Sequence, residues 1–416
     1  MRDGVEYEKF LRAYERELEF FAAKISSRKV TTIFFGGGTP SLMPISLVEG
    51  ILKKIAQLWQ LDENCEISLE ANPTSSEAAK FKALRDIGVN RLSMGIQALN
   101  DEDLKFLGRE HSSKEAITTI EIAAKIFDNF SFDLIYARPK QSLEAWKDEL
   151  LRAISFGTKH LSLYQLTIEK GTKFFSQFAR KEFEMPDENL SAEFYEMTHQ
   201  ITKSAGFELY EISNYAIRRP LSLRPSSSSP RSSSLTQSVE DLMSSVPTFK
   251  RSSTLRAKDD GWKSGDGVGA ELDYRCRHNL VYWQGGDYLG IGAGAHSRIY
   301  FEGDVERSAI TMLHDPSSWL KKVEESGVGI QKIEKISEEE LVEELILMGL
   351  RLRDGINSKI FQTHFGKKMT EVFDFKKLEK LANQGLIEFD KNHVKIADQS
   401  RLLTNLVIQK ICETKI

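Results

Sequence analysis

The stretch Val30-Thr-Thr-Ile-Phe-Phe-Gly-Gly-Gly-Thr-Pro-Ser41 decides how the rest of the chain is interpreted. Its first six residues (VTTIFF) predict a short buried strand, because they are β-branched or aromatic. Three glycines follow at the end of that strand. They let the backbone approach a ligand without a Cβ in the way, although a plain strand-to-helix turn explains the same pattern. The surrounding sequence has to decide between a ligand loop and a turn.

The composition is that of an ordinary globular protein. The chain has 416 residues, of which 40% are hydrophobic and 28% charged, enough for one large or two ordinary domains. The formal net charge of -4 gives no overall field that favours nucleic acid or an anionic membrane. No apolar run reaches the length of a membrane span, and the charged start of the chain does not resemble a signal peptide. We therefore expect a cytoplasmic protein with neither a nucleic-acid partner nor a membrane span.

Strands and amphipathic helices alternate over residues 30–169. Such alternation predicts an α/β fold with a parallel sheet and helical crossovers. The predicted strands are Thr31 to Phe35, Glu66 to Glu70, Arg91 to Ile96, Ser131 to Tyr136 and His160 to Gln165. The predicted helices are Ser46 to Trp59, Ser76 to Ile87, Lys114 to Phe127 and Leu143 to Phe156.

Polar or glycine residues follow each predicted strand at its carboxyl end. Since ligands gather at this edge of parallel sheets and barrels, five such strand ends predict a pocket there. The residues concerned are Gly36 to Thr39, Glu70 with Asn72, Gln97, Asp133, and Gln165 with Thr167.

Residues 218–273 interrupt the pattern and predict a disordered insertion. They hold four of the ten prolines and the serine runs 226–229 and 232–234, too little apolar surface for a packed core. Their Arg and Lys residues are compatible with a basic binding patch, but a disordered insertion explains the composition better. The predicted organisation is thus a core domain over 1–217, the insertion over 218–273, a continuation of the core over 274–330 and a last domain over 331–416.

The last domain is predicted to be helical. Its helices are Glu339 to Leu352, Asn357 to Phe365 and Phe375 to Gln384, and residues 386–396 predict a hairpin with an Asp-Lys-Asn turn. Three helices and a hairpin resemble a winged-helix module, a class that often binds DNA. The third helix carries Glu379 and few arginines, so DNA binding is not expected.

Taken together, the strand-end motifs resemble radical S-adenosylmethionine (SAM) proteins of the oxygen-independent coproporphyrinogen III oxidase group. The motifs are Gly36 to Ser41, Glu70-Ala-Asn-Pro73, Ser93-Met-Gly-Ile-Gln97, Gly108-Arg109-x-His111 and Phe132-Asp-Leu-Ile-Tyr136, in this order. Within that group, His278-Asn-Leu-Val-Tyr-Trp283 and Gly290 to Ser297 look most like the haem chaperone branch, HemW. The resemblance covers nearly the whole chain except the insertion.

The resemblance implies a partial (β/α) barrel with a C-terminal helical, winged-helix-like domain. It implies SAM, a [4Fe-4S] cluster and haem as cofactors, and haem delivery to an acceptor protein as the function. The SAM pocket it implies consists of Gly37, Gly38, Thr39, Glu70, Gln97, Arg109 and Asp133. Taken singly, Glu70 and Asp133 are equally compatible with helix capping or a salt bridge; as a set these residues favour the pocket.

His278 is a candidate haem ligand, because histidine binds haem iron, and Tyr282 and Trp283 can stack on a porphyrin. On physical grounds alone a plainer reading is favoured. In it residues 279–283 form a buried strand and a backbone carbonyl satisfies His278.

Two departures from the family pattern limit the expected chemistry. The family carries a CxxxCxxC loop after its first strand, whereas Cys65, Cys276 and Cys412 lie far apart and cannot replace it. We therefore expect a barrel without its first strand and cysteine loop, and no radical catalysis from the chain as written. The loop Tyr136-Ala-Arg-Pro-Lys-Gln141 stands where the family typically has Tyr-Gly-Leu-Pro-Gly-Gln, which puts that loop's geometry in doubt. The alternatives to a haem chaperone are a coproporphyrinogen oxidase-like oxidoreductase and an inactive truncated remnant.

Overall fold

The computed structural model describes residues 6–25, 27–220 and 271–413. Helices and strands alternate over the first two ranges. In chain order they are α1 (Tyr7–Ala22), β1 (Lys29–Phe35), α2 (Ile45–Leu58), β2 (Gln60–Ala71), α3 (Ser75–Ala78), α4 (Phe81–Asp86), β3 (Arg91–Gln97), α5 (Asp101–Phe106), α6 (Ser113–Ile126), β4 (Asn129–Tyr136), α7 (Leu143–Ser155), β5 (His160–Gln165), α8 (Lys173–Ala179), α9 (Glu188–Ser204), β6 (Phe207–Leu209) and β7 (Asn214–Pro220).

The last range completes the fold. Its elements are β8 (Glu271–Asp273), α10 (Arg277–Trp283), β9 (His296–Ile299), β10 (Arg307–Met312), α11 (Pro316–Ser326), β11 (Ile330–Ile336), α12 (Glu338–Gly349), β12 (Ile356–Asn357), α13 (Ser358–Phe365), α14 (Phe375–Asn383), β13 (Ile387–Asp390), β14 (His393–Ile396) and α15 (Thr404–Cys412). Among the helices of these described ranges, none is both long and apolar enough to cross a membrane.

The chain divides into two compact units. Unit 1 comprises Met1–Glu70, Lys80–Asn90 and Cys276–Ile416, and unit 2 comprises Ala71–Ala79 and Arg91–Arg275. Each unit is formed by segments that are distant in sequence.

In unit 1, β1 and β2 pair in parallel, and α1 packs against α2 and α11. A buried carboxylate, Glu17, ties α1 to two other segments. It accepts hydrogen bonds from the Gly292 amide (2.7 Å), the Gly329 amide (2.8 Å) and the indole nitrogen of Trp319 (3.0 Å). Burial raises the pKa of Glu17, and these donors oppose that rise. The donors thus satisfy a polar group that would otherwise cost folding energy.

The C-terminal part of unit 1 contains two small antiparallel sheets. Strands β9, β10 and β11 form one, and β12, β14 and β13 form the other. Helices α12 to α15 enclose an apolar core with the second sheet. The predicted helical domain and its hairpin are confirmed, and β12 adds a third strand that the sequence did not predict.

In unit 2, β3, β4 and β5 pair in parallel, and β7 pairs antiparallel with β5 and with β6. One face of this sheet is apolar and fully covered. Its residues are Leu92, Met94, Ile96, Phe130, Phe132, Leu134, Leu161 and Leu163. Tyr136 of β4 packs against Trp146 of α7 and Phe194 of α9, and the Trp146 indole nitrogen donates to the Thr198 hydroxyl at 2.8 Å.

The opposite face of the same strands carries small polar side chains. Ser93 pairs in register with Ser131, and Asp133 pairs with Ser162, which pairs with Asn214. The alternation therefore separates a packed face from a polar face, as expected for strands that border a ligand space.

The five predicted strands are confirmed, each extended by no more than a few residues except β2, which begins six residues earlier. One predicted helix, Ser76 to Ile87, is wrong, because α3 and α4 are two short helices. The predicted insertion 218–273 begins and ends in paired strands, since Arg218 pairs with Asp273 in β7 and β8, and its bounds stay a prediction. Its remainder, 221–270, lies outside the described residues.

Candidate functional site

The glycine loop leaves the end of β1 in a left-handed conformation. Gly37 and Gly38 have φ of 77° and 66°, and among the described residues no atom beyond the adjoining ones lies within 4 Å of where a Cβ would stand on either. Gly36 has a different reason to be glycine, since a Cβ there would lie 2.6 Å from the Phe34 ring. The loop therefore offers open backbone beside a closely packed aromatic ring.

Glu70, near the carboxyl end of β2, contacts this loop directly. The Gly37 amide donates to Glu70 Oε2 over 3.2 Å. Partial burial raises the pKa of Glu70, and the Gly37 amide opposes that rise. A carboxylate in such a place gains from a nearby cation or from hydroxyl donors, which is the chemistry of an amine, a sulfonium or a ribose.

Lys80 fixes the far end of the loop. Its ammonium group donates to three successive carbonyl oxygens, those of Ser41 (3.0 Å), Leu42 (3.2 Å) and Met43 (3.3 Å). These carbonyls close the short 3-10 turn Pro40–Leu42, where a cation also complements the local dipole. Lys80 was not predicted as a loop residue, because a lone lysine 39 residues from its partner carries no local signal.

A cavity of about 980 Å³ lies beside β1, entirely within unit 1. It borders the predicted ligand residues Gly37, Thr39 and Glu70 as well as His278, whereas Gly38 does not line it. Much of the remaining lining is apolar or aromatic, with two cations among it. These residues include Leu18, Arg28, Lys29, Phe34, Ile51, Ile55, Trp59, Val281, Tyr282, Tyr288 and Ile299. Its size and its mixed lining suit a large, mainly apolar ligand.

Helix α10 carries the His-Asn-Leu-Val-Tyr-Trp motif along one side of this cavity. The alternative of a buried strand over 279–283 is wrong, because these residues are helical. No residue of α10 is fully buried although most of the motif is apolar, which is unusual for so apolar a segment. The helix contacts β1 and α12 and leaves part of its surface facing the cavity.

His278 is held on both ring nitrogens by side chains. Its Nδ1 lies 3.2 Å from the Thr32 hydroxyl and its Nε2 lies 2.9 Å from the Tyr282 hydroxyl. Its ring stacks on Phe34 with centroids 4.6 Å apart. Burial lowers the pKa of His278 to about 4, so the ring is neutral. The expected backbone carbonyl partner is therefore wrong: the two hydroxyls satisfy this histidine.

The remaining predicted SAM residues belong to unit 2. A Cβ on Gly95 would lie 3.3 Å from Gln97 Nε2 and 3.9 Å from a terminal nitrogen of Arg109, so these three residues lie together. Gln97 has φ of 74°, a strained value for a residue with a side chain. Asp133 lies on the polar face. Burial raises the pKa of Tyr164, and the nearby charge of Asp133 raises it further. That all seven predicted residues share one pocket stays a prediction.

The loop after β4 keeps a glycine-like shape without glycines. Ala137 and Lys140 have φ of 55° and 61° at the two positions where the family typically has glycine. Between them Arg138 is buried and pairs with Glu149 at 2.5 Å and with Asp103 at 2.9 Å. Buried charges thus brace the loop whose geometry the sequence put in doubt.

The cysteines do not form an iron–sulfur site. Among the described residues, no three His, Cys, Asp or Glu side chains are grouped so as to hold a metal ion. Cys65 and Cys276 are buried thiols, and burial raises the pKa of Cys65 to about 11. The described residues therefore do not fit a [4Fe-4S] cluster, whereas the open glycine loop and Glu70 fit SAM.

Two family models match the chain. Residues 4–153 match the radical SAM superfamily and residues 336–403 match the HemN C-terminal domain. The radical S-adenosyl methionine domain-containing protein 1, mitochondrial, of Mus musculus is 34% identical over 87% of this chain and 71% of its own length. The heme chaperone HemW of Bacillus subtilis is 30% identical over 96% of this chain and 90% of its own length.

A solved structure shows the same fold. Coproporphyrinogen III oxidase (HemN) from Escherichia coli, a radical SAM enzyme, superposes with a TM-score of 0.68 at 21% identity. The match covers 99% of this chain and 84% of that one. The predicted radical SAM-type α/β fold with its C-terminal domain is thereby confirmed.

Proposed function

Because the chain belongs to the HemW-like family of radical SAM proteins, we propose that it binds haem and passes it to an acceptor protein. The family implies SAM, a [4Fe-4S] cluster and haem as the groups its members handle. The observation that carries the proposal is the large cavity of unit 1. There the glycine loop, Glu70 and the His278 to Trp283 helix border one space.

The chemistry of that cavity matches haem, which is a flat apolar ring with two carboxylates. The aromatic side chains of Phe34, Tyr282 and Tyr288 supply ring contacts. Arg28 and Lys29 are half-exposed cations that now pair with Asp287 at 3.2 Å and Asp62 at 2.9 Å, and propionate groups would share or replace these partners.

SAM is proposed to bind at the glycine loop, next to Glu70. The open backbone at Gly37 and Gly38 and the hydroxyl of Thr39 would hold its amino-acid part, and Glu70 would accept from its amine or ribose. Bound SAM would supply a sulfonium cation to this edge of the cavity. A role in SAM binding is also proposed for Gln97, Arg109 and Asp133.

No step of this proposal runs through an iron–sulfur cluster, because the described residues lack its ligands. The acceptor is proposed to be a protein that takes up haem as its own cofactor. A cytoplasmic location stays a prediction, since the relatives include proteins named as mitochondrial.

The test uses the purified chain and ferric haem. We expect saturable binding of one haem, followed by its transfer to excess apomyoglobin as a probe acceptor. No haem binding at all, or haem that never leaves, would contradict a delivery function. Incubation with coproporphyrinogen III, SAM and a reductant after cluster reconstitution should give no decarboxylated product. Such a product would favour the oxidoreductase instead.

A second arm separates the two ligands. Glu70→Gln removes the charge but keeps the shape, and we expect SAM affinity to fall roughly tenfold or more because a charged hydrogen bond is lost. Haem binding should not change. Equal SAM binding by both forms would remove Glu70 from the proposed site.

A further inference from the structure

The two polar side chains of α10 that face each other differ in what they can still bind. His278 has one nitrogen near the Thr32 hydroxyl and the other near the Tyr282 hydroxyl. A ring nitrogen offers one hydrogen-bonding position, so both of those on His278 are in use. To bind iron, His278 would have to give up one of these bonds.

Tyr282 has no such restriction. Its hydroxyl lies 2.9 Å from His278 Nε2, and a phenol that donates its single proton keeps two lone pairs. Its ring meets Tyr288 edge-on with centroids 4.4 Å apart, which fixes its position without using the oxygen. Tyr282 also lines both the large cavity and a neighbouring one of about 120 Å³. The tyrosine oxygen can therefore gain a ligand without losing a hydrogen bond.

We propose that Tyr282, rather than His278, ligates the iron of bound haem, and that His278 is a positioning residue for the Tyr282 oxygen. This inference rests on the proposed haem binding. Phenolate is an established ligand of haem iron. Thr32 then acts through His278, since its hydroxyl holds the far nitrogen of the ring.

The ligation step balances without an oxidant or reductant when the haem is already ferric. The iron–oxygen bond forms as the phenol O–H bond breaks, and the water that free ferric haem carries returns to solvent. The phenol proton passes to Nε2 of His278, and Nδ1 releases its own proton to solvent. The Thr32 hydroxyl changes from acceptor to donor, so the ring stays neutral and one proton leaves for each haem bound.

The test is ligand spectroscopy on ferric haem bound to the full chain. Resonance Raman and electron paramagnetic resonance spectra distinguish phenolate from imidazole ligation. The wild-type complex should show a phenolate–iron signature. Tyr282→Phe should abolish it and weaken haem binding at least about tenfold. Tyr300→Phe is the matched control and should keep the signature, because Tyr300 borders the small cavity that Tyr282 also lines but is not among the residues that line the large one.

His278 variants test the positioning role. His278→Ala should keep the phenolate signature with weaker binding, and His278→Gln, whose amide can still donate to the oxygen, should restore part of the affinity. An imidazole-type spectrum in the wild type, or an unchanged spectrum in Tyr282→Phe, overturns the ligand assignment while the haem function stands. No saturable haem binding by the wild type overturns both.

Discussion

Two loops of this molecule follow strands and turn through left-handed backbone, yet they are built in opposite ways. Residues 36–41 after β1 use glycines, leave open space around Gly37 and Gly38, and border a cavity. Residues 137–141 after β4 use Ala137 and Lys140 at positive φ and fill the space with a buried arginine. Packing around a buried arginine can thus hold residues with side chains at positive φ, whereas the loop with open space around it uses glycine.

The largest effect, a loss of unfolding free energy, is expected at the loop of residues 137–141. Arg138→Met removes the cation between Glu149 and Asp103 and leaves a buried carboxylate unpaired. Loss of one partner from a buried pair costs about 3–5 kcal/mol of unfolding free energy. Urea unfolding measures this loss of free energy. Arg152→Met, an exposed change on α7, the helix that carries Glu149, is the control and should cost little. A loss under about 1 kcal/mol for Arg138→Met would mean that the ion cluster does not hold this loop.

A smaller effect is expected at the open loop, on ligand affinity rather than on stability. Lys80→Met removes the donor to three carbonyls and loosens the backbone that SAM is proposed to contact. Charged hydrogen bonds contribute about 1.5–3 kcal/mol, so SAM affinity should fall roughly tenfold by calorimetry. Lys82→Met, which removes only an exposed pair with Asp86, serves as the matched control. If both variants bound SAM equally well, Lys80 would have no role in shaping the loop.

The smallest effect concerns the strain itself. Ala137→Gly and Lys140→Gly relieve a left-handed conformation that costs about 1–2 kcal/mol, partly offset by the greater freedom of glycine when unfolded. Each change should therefore raise the unfolding free energy by about 0.5–1 kcal/mol. Gly157→Ala is the reverse control and should lower it, since Gly157 has φ of 77° with no close neighbours. No gain in either glycine variant would show that the loop is not strained.

The difference between the two loops also marks what the sequence could predict. Strand–helix alternation located β1 to β5, because period-two apolar runs and helical faces are local signals. The glycine loop was recognisable for the same reason, whereas positive φ at Ala137 was not, since alanine gives no hint of it. The strand alternative for 279–283 failed because a short apolar run fits strand and helix alike.

The contacts around the candidate site lay beyond the sequence. Thr32 lies 246 residues from His278 in the chain, whereas Tyr282 lies in the same helix as His278; both contact the His278 ring. Only the folded chain shows that His278 is saturated with hydrogen bonds, or that Lys80 reaches three carbonyls. The motifs predicted the residues of the site, and the packing determines which of their atoms can still bind a ligand.

The central claim, that the cavity beside β1 receives haem, is tested most directly by filling it. Val281 lines that cavity, whereas Val305 is 93% exposed and does not line it. The measurement is the haem dissociation constant of Val281→Trp and of Val305→Trp, each first shown by its thermal midpoint to be folded. We expect haem affinity to fall at least roughly tenfold in Val281→Trp and to stay unchanged in Val305→Trp. Unchanged haem affinity in a folded Val281→Trp protein would contradict it.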